Sequence, residues 1–165
     1  MIIIDGPDAS GKTTLAKAIA ETLNGQYIHC SYHEKWNIEA YHRLIVHSAG
    51  KLEQMANVPV IIDRWALSEA AYGNVYRDGP CYDTIELMQE AIKAYSPVLI
   101  YCKSDKTLEN FERTKHERNE MFSDISPVIN EFDKLVSSGK YGVHVAYDFA
   151  QHNTELFVEA FAATH

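Results

Sequence analysis

The sequence predicts an α/β fold, a parallel sheet covered by helices on both faces. Three observations point there. Short apolar runs of strand length alternate with longer stretches in which apolar residues recur at helical spacing. A turn bounded by Gly6 and Gly11 separates the first apolar run from the first helical stretch, where a strand must give way to a helix directly. The 165 residues suffice for one core and carry no linker, repeat or low-complexity segment, so 1–165 is expected to be a single domain.

Ile2 to Ile4 form the first strand. Leu15, Ile19 and Leu23 recur every four residues on one face of the first helix, and Asn24-Gly25 supplies its stop. Gln26 to Cys30 is a short second strand. From Ile38 to Met55 the set Tyr41, Leu44, Ile45, Leu52 and Met55 keeps a helical period, with a kink or break expected near Ser48-Ala49-Gly50. Val58 to Ile62 reads as a buried strand, with Pro59 tolerable near its start. Asp83-Thr84-Ile85-Glu86 has capping-box-like spacing before Met88 and Ile92, and Val98 to Cys102 is the next strand. Leu108 and Phe111 open a helix that runs into the polar, basic stretch Arg113 to Glu120, which no apolar residue can bury and which is expected to be exposed and mobile. Ile129, Phe132 and Val136 mark another helix, Tyr141 to Tyr147 a last strand, and Leu156 to Phe161 a closing helix.

Composition narrows the classes. Hydrophobic residues at 46% and charged residues at 23% disfavour disorder, collagen-like repeats and coiled coil. Fifteen Lys and Arg against twenty-three Asp and Glu leave a formal charge of −8, which argues against a broad nucleic-acid or anionic-membrane surface and leaves room for a small basic pocket. No apolar run approaches the roughly eighteen residues of a membrane span, and Met1-Ile2-Ile3-Ile4 meets an acid at Asp5, unlike a secretory signal. A cytoplasmic protein is expected, and Cys30, Cys81 and Cys102, odd in number and widely spaced, suit reduced thiols.

Gly6-Pro7-Asp8-Ala9-Ser10-Gly11-Lys12-Thr13 has glycine, four residues, then Gly-Lys-Thr, the spacing of a phosphate-binding loop, and Thr14 leads on into the helix. Its glycines let successive amides point at phosphate oxygens, and the following helix adds its positive N-terminus. Lys12 is placed to reach the β and γ phosphates, and Thr13 to ligate a magnesium ion, so ATP and Mg²⁺ are the expected cofactors. The plain alternative is a glycine turn without a ligand. Asp63-Arg64 ends the third strand, at the sheet edge where ligands of open α/β folds sit. An acid there can hold magnesium's water or take a proton, and an arginine can bind phosphate; a surface ion pair is the alternative. Arg113-Thr114-Lys115-His116-Glu117-Arg118 can supply cations, Arg113 and Arg118 above all, from a segment that closes over substrate, or can be a solvated helix face. His29-Cys30 and His33 lack a partner pair for a structural zinc. Trp65, Tyr72 and Tyr76 fall near one helical face and serve either core packing or base stacking.

Asp5-Gly6-Pro7-Asp8-Ala9-Ser10-Gly11-Lys12-Thr13-Thr14-Leu15, followed by Asp63-Arg64-Trp65-Ala66-Leu67-Ser68 and Ala71-Tyr72, resembles the thymidylate kinase family of P-loop kinases. The resemblance implies a three-layer P-loop NTPase sandwich, five parallel strands in the order 2-3-1-4-5, with a short lid at about 113–122 after the fourth strand. It implies transfer of the γ-phosphate of ATP to a pyrimidine deoxynucleotide, dTMP first. Asp8, Arg64, Trp65, Ser68 and Tyr72 would surround the acceptor, with Asp8 near its sugar and Arg64 at its phosphate; Asp63 would lie near magnesium. Two departures stand out. The family's Glu-Pro-Gly-Gly segment is replaced by Ser31-Tyr32-His33-Glu34-Lys35-Trp36, and Ala9 stands where some members carry an arginine, which makes a lid arginine more necessary.

The chain is also similar to small phage-encoded kinases of this type, which would place it in a host cytoplasm. Some relatives of that kind phosphorylate 5-hydroxymethyluridine in DNA, so modified DNA is the alternative acceptor, and deoxynucleoside kinases share the acid-Arg pair. The partners implied are ATP and a small nucleotide, no membrane, and, as an open question, a second copy of the chain. A GTP-binding switch is the competing class, because Cys102-Lys103-Ser104-Asp105 nearly matches a guanine-reading Asn-Lys-x-Asp, yet no glycine follows Asp63 at three residues.

Overall fold

A computed structural model describes residues 1–116 and 122–164. Its sheet is built from β1 (Ile2–Asp5), β2 (Gln26–His29), β3 (Val60–Asp63), β4 (Val98–Cys102) and β5 (Val145–Tyr147), all parallel, in the order β2-β3-β1-β4-β5. The helices are α1 (Lys12–Thr22), α2 (Ile38–Ala56), α3 (Ala66–Tyr76), α4 (Thr84–Tyr95), α5 (Thr107–Thr114), α6 (Ser126–Ser137) and α7 (Thr154–Ala162). None of the helices among the described residues is long and apolar enough to cross a membrane.

Two-residue alternation along the strands divides the core into two layers. Ile3, Val60, Ile62, Leu99 and Tyr101 pack with α2, α3, α4 and α6. Ile2, Ile4, Ile61, Ile100 and Cys102 pack with α1 and α7 on the opposite face. Because β1 and β3 are covered on both sides, they read as continuous apolar runs that end in an acid, Asp5 and Asp63. Asp83 caps α4 through Ile85 N and Glu86 N, as its spacing predicts.

The structure corrects three expectations. Helix α2 runs unbroken from Ile38 to Ala56 through Ser48-Ala49-Gly50, because Gly50 sits in mid-helix against the ring of Tyr95 rather than at a break. Its buried face is Ile38, His42, Val46, Ala49 and Gly50, whereas Leu44 and Met55 of the apolar set are 64% and 84% exposed. The last strand is only Val145–Tyr147: Gly142 turns at φ 63°, and the buried Tyr141 is hydrogen-bonded to Thr84 instead of entering the ladder.

Candidate active site

The loop between β1 and α1 is shaped by close approach. A Cβ on Gly6 would stand 2.4 Å from the carbonyl oxygen of Cys102, and Gly11 takes φ 82° with Phe149 packed beside it. Ala9 also has positive φ, at 61°, and its carbonyl accepts from the Asn110 amide of α5 at 2.7 Å. The buried Lys12 ammonium donates to the Pro7 carbonyl at 2.9 Å and lies 3.9 Å from Asp8. Burial and the charge of Arg64 pull its pKa down to about 8, against support from Asp8 and Asp63. The hydroxyl of Ser10 is buried without a partner among the described residues.

Beyond β3, Arg64 has φ 70°, a conformation costly for a non-glycine residue by on the order of 1 kcal/mol, and its amide donates to the Ile4 carbonyl at 2.9 Å. Its guanidinium is ion-paired with Asp8 and lies over the ring of Tyr72, 5.4 Å from the centroid. The Tyr72 hydroxyl donates to Asp8 at 2.6 Å and accepts from the Asp8 amide at 3.1 Å. Burial pushes the Asp8 carboxyl up, but Arg64, Lys12 and Tyr72 outweigh it and hold the group below its ordinary value. Asp63 is fully buried; burial is again outweighed, here by His29, Lys12, Thr13 and Tyr27, and its pKa falls to about 2. Its Oδ2 accepts from the Thr13 hydroxyl at 2.7 Å, while its Oδ1 has no partner among the described residues. A hydroxyl and a carboxylate that keeps one oxygen unpartnered are hard oxygen donors of the kind that suits Mg²⁺.

Two cavities flank this cluster. One, of about 290 Å³, is lined by Ala9, Gly11, Lys12, Thr13 and Thr14 of the loop, by Asn110 and Arg113 of α5, and by Tyr147 and Phe149. Arg113 is steered by a hydrogen bond to Asn110 at 2.8 Å. The other, of about 460 Å³, lies beyond Asp8 and Arg64, between Tyr32, Ile38, Tyr72, Tyr76 and Phe122. Tyr76 and Phe122 stack with centroids 4.1 Å apart.

Of the sequence-predicted residues, Ala9, Gly11, Lys12, Thr13 and Thr14 line the smaller cavity and Asp8, Arg64 and Tyr72 the larger, while Asp63 joins them through Thr13, and Gly6 and Ser10 shape the loop without lining either cavity. Trp65 lies against the larger cavity with its indole covered, donating to the His42 carbonyl at 3.1 Å. The Ser68 hydroxyl donates to Asp5, which also takes the amides of Trp65 and Ser68 and so caps α3 from a neighbouring strand. Arg118, and 117–121 of the expected lid, lie outside the described residues. Lys103, of the near guanine motif, is paired with Asp133 at 2.8 Å.

Sequence reasoning missed Tyr27 and His29, which reach Asp63, and Asn110. It also missed Glu69, which holds Arg77 and the Cys81 amide, each at 2.8 Å, at the wall of the larger cavity. The alternation of Tyr27 and His29 on one strand was the available signal; Asn110 reaches Ala9 across 101 residues, and Glu69 meets Arg77 and the Cys81 amide across a turn that follows no local motif.

No family model matches the chain. Over 44 residues it is 48% identical to a cytidylate kinase of Chlamydia trachomatis, a match that spans 27% of this chain and only 19% of the relative. Among solved structures, the YorR protein of Bacillus subtilis, in complex with phosphorylated GDP, superposes with a TM-score of 0.69 at 21% identity over 99% of this chain and 94% of that one. A deoxyadenosine kinase of M. mycoides with bound dCTP gives 0.59 at 16% identity over 99% and 98%. A thymidylate kinase of Ehrlichia chaffeensis gives 0.53 at 17% identity over 99% and 97%. At these identities the likeness is one of architecture, and the chain has the three-layer P-loop NTPase sandwich with its sheet in the order β2-β3-β1-β4-β5.

Proposed function

We propose that this chain is an ATP-dependent kinase that phosphorylates the phosphate group of a pyrimidine deoxynucleotide, with dTMP the first candidate. The observation that carries the reading is a pair of cavities on either side of the phosphate-binding loop, one lined by Lys12 and the other by Asp8 and Arg64, with Lys12 3.9 Å from Asp8 and with the pKa of Asp8 and of the adjacent Asp63 lowered. Two chambers sharing a phosphate-binding loop suit transfer between two bound molecules rather than hydrolysis or switching. A hydroxyl acceptor profits from a general base whose pKa lies near the working pH, and a carboxylate at about 2 is a poor one. A phosphate acceptor brings its own anionic oxygen.

In this reading ATP occupies the smaller cavity. The loop amides and Lys12 hold its β and γ phosphates, and Arg113 reaches the same cavity from α5. Thr13 and Asp63 would hold Mg²⁺, which when bound neutralises charge on the phosphates. The acceptor occupies the larger cavity, its phosphate taking the guanidinium of Arg64 from Asp8 and its base lying along Tyr72, Tyr76 and Phe122. An acceptor oxygen then attacks the γ-phosphorus in line as the bond to the ADP oxygen breaks, giving a nucleoside diphosphate and ADP. The pyrimidine and the deoxyribose rest on the resemblance carried by Asp63-Arg64-Trp65, Ser68 and Ala71-Tyr72; a fold neighbour named as a thymidylate kinase agrees with a nucleotide acceptor, while one named as a deoxyadenosine kinase keeps a nucleoside in the test below.

Incubation with γ-labelled ATP, Mg²⁺ and a panel of nucleosides, nucleoside monophosphates and plain or hydroxymethylated DNA tests this. Label is expected in a nucleoside diphosphate, with dTMP the best acceptor. Labelled hydroxymethylated DNA, with dTMP inert at millimolar concentration, would overturn it.

A further inference from the structure

The edge strand β2 carries two polar side chains that the proposed chemistry leaves without a task. Tyr27 and His29 are two residues apart, so both project toward the α1 face of the sheet, and the parallel register sets His29 beside Asp63 and Tyr27 beside Ile61. The Tyr27 hydroxyl donates to Asp63 Oδ2 at 2.9 Å, and His29 Nδ1 stands 3.2 Å from the same oxygen, donating in the tautomer that carries its proton there. The Thr13 hydroxyl is the third donor, at 2.7 Å. One carboxylate oxygen thus takes every donor, while Oδ1, equally buried, takes none among the described residues.

A buried carboxylate oxygen without a donor costs free energy that a carboxylate free to turn would avoid by sharing its donors. Here the donors come from two elements, β2 and α1, and all three meet Oδ2. We propose that Tyr27 and His29 are positioning residues that fix the orientation of the Asp63 carboxylate, keeping Oδ1 free for the hydration shell of a divalent cation that arrives with the nucleotide triphosphate. They act on the metal only through Asp63, as partners behind a ligand commonly do. Lys17, one turn beyond Thr13, lies 5.7 Å from the centre of the Tyr27 ring and helps hold that ring in place.

The inference rests on the reading of the smaller cavity as an ATP site, and binding separates the two. ATP affinity is measured by calorimetry with Mg²⁺ and with a chelator, for the wild type and for Tyr27→Phe, His29→Ala and His29→Asn. Tyr27→Phe keeps the ring and removes only the hydroxyl; His29→Asn keeps an N–H close to the Nδ1 position. Tyr27→Phe and His29→Ala are expected to bind metal-free ATP as the wild type does and to lose about tenfold of the affinity gained from Mg²⁺. His29→Asn is expected to recover most of the gain. An unchanged gain in both deletion variants overturns the inference, and so does an equal fall in metal-free affinity, which would mark a merely structural role. If the wild type binds no ATP, the underlying reading fails first and the inference falls with it.

Discussion

A lysine ammonium as deeply buried as that of Lys12 stays charged only while negative groups face it, and in the free protein these are Asp8 and Asp63. With its pKa near 8, Lys12 loses its proton just above neutral pH, and a neutral amine cannot balance a triphosphate. ATP affinity is therefore expected to fall as pH rises through about 8, with proton uptake on binding above that point, and Lys12→Ala should abolish this dependence while slowing transfer by on the order of 3 kcal/mol or more. Titration calorimetry at pH 7 and pH 9 reads the first effect and single-turnover transfer the second. Asp63 has the opposite sign. Its folded pKa of about 2 lies below the ordinary 3.8, so it adds stability that is fully present above pH 3.8 and is lost as pH falls through 2. The amount is about 2 kcal/mol. Urea unfolding should find Asp63→Asn weaker than the wild type by about that much at pH 5, with the gap closing toward pH 2. A gap independent of pH would contradict the assigned contacts. The residue types at this site were legible because the loop is a local motif; the donors to Asp63 were not, because strand register decides them.

Among the elements, α2 shows where hydropathy misleads. Its buried face includes His42, held at 2.6 Å from the Tyr82 hydroxyl and kept neutral by burial, which takes its pKa to about 4, and it includes Gly50. Neither counts as apolar in a periodicity reading, so the exposed Leu44, Leu52 and Met55 marked the wrong face. Gly50 also gave a false sign of a break. A Cβ there would come 2.3 Å from the Tyr95 ring, which joins α2 to α4 and is tied to His47 at 2.7 Å. Helix propensity alone predicts that Gly50→Ala stabilises by about 1 kcal/mol. Overpacking predicts the reverse, a loss of about 1–3 kcal/mol. Urea unfolding is expected to show the loss, and a gain would contradict the packing. By contrast, β1, β3 and β4 were legible because they are buried on both faces, and α4 because Asp83 caps it within its own sequence.

At the scale of the whole molecule, sheet alternation sends Asp5 and Asp63 to opposite faces, where one caps α3 and the other meets α1. The strand order leaves the loop after β1 in the middle, with a cavity to either side. A net charge of −8 is consistent with this, since Lys12 and Arg64 of the site are internal and paired with Asp8. The pairing of Glu69 with Arg77 at the far wall, by contrast, needed the fold to bring it into view. The claim on which the rest depends is that the two cavities hold donor and acceptor at once, in line through Lys12 and Arg64. Its most direct test is the binding of a compound in which adenosine and deoxythymidine are joined through a chain of phosphates. It should bind once per chain, about 100-fold or more tighter than ATP, and lose that advantage in Arg64→Ala. Binding no tighter than ATP alone, or an advantage untouched by Arg64→Ala, would contradict the claim.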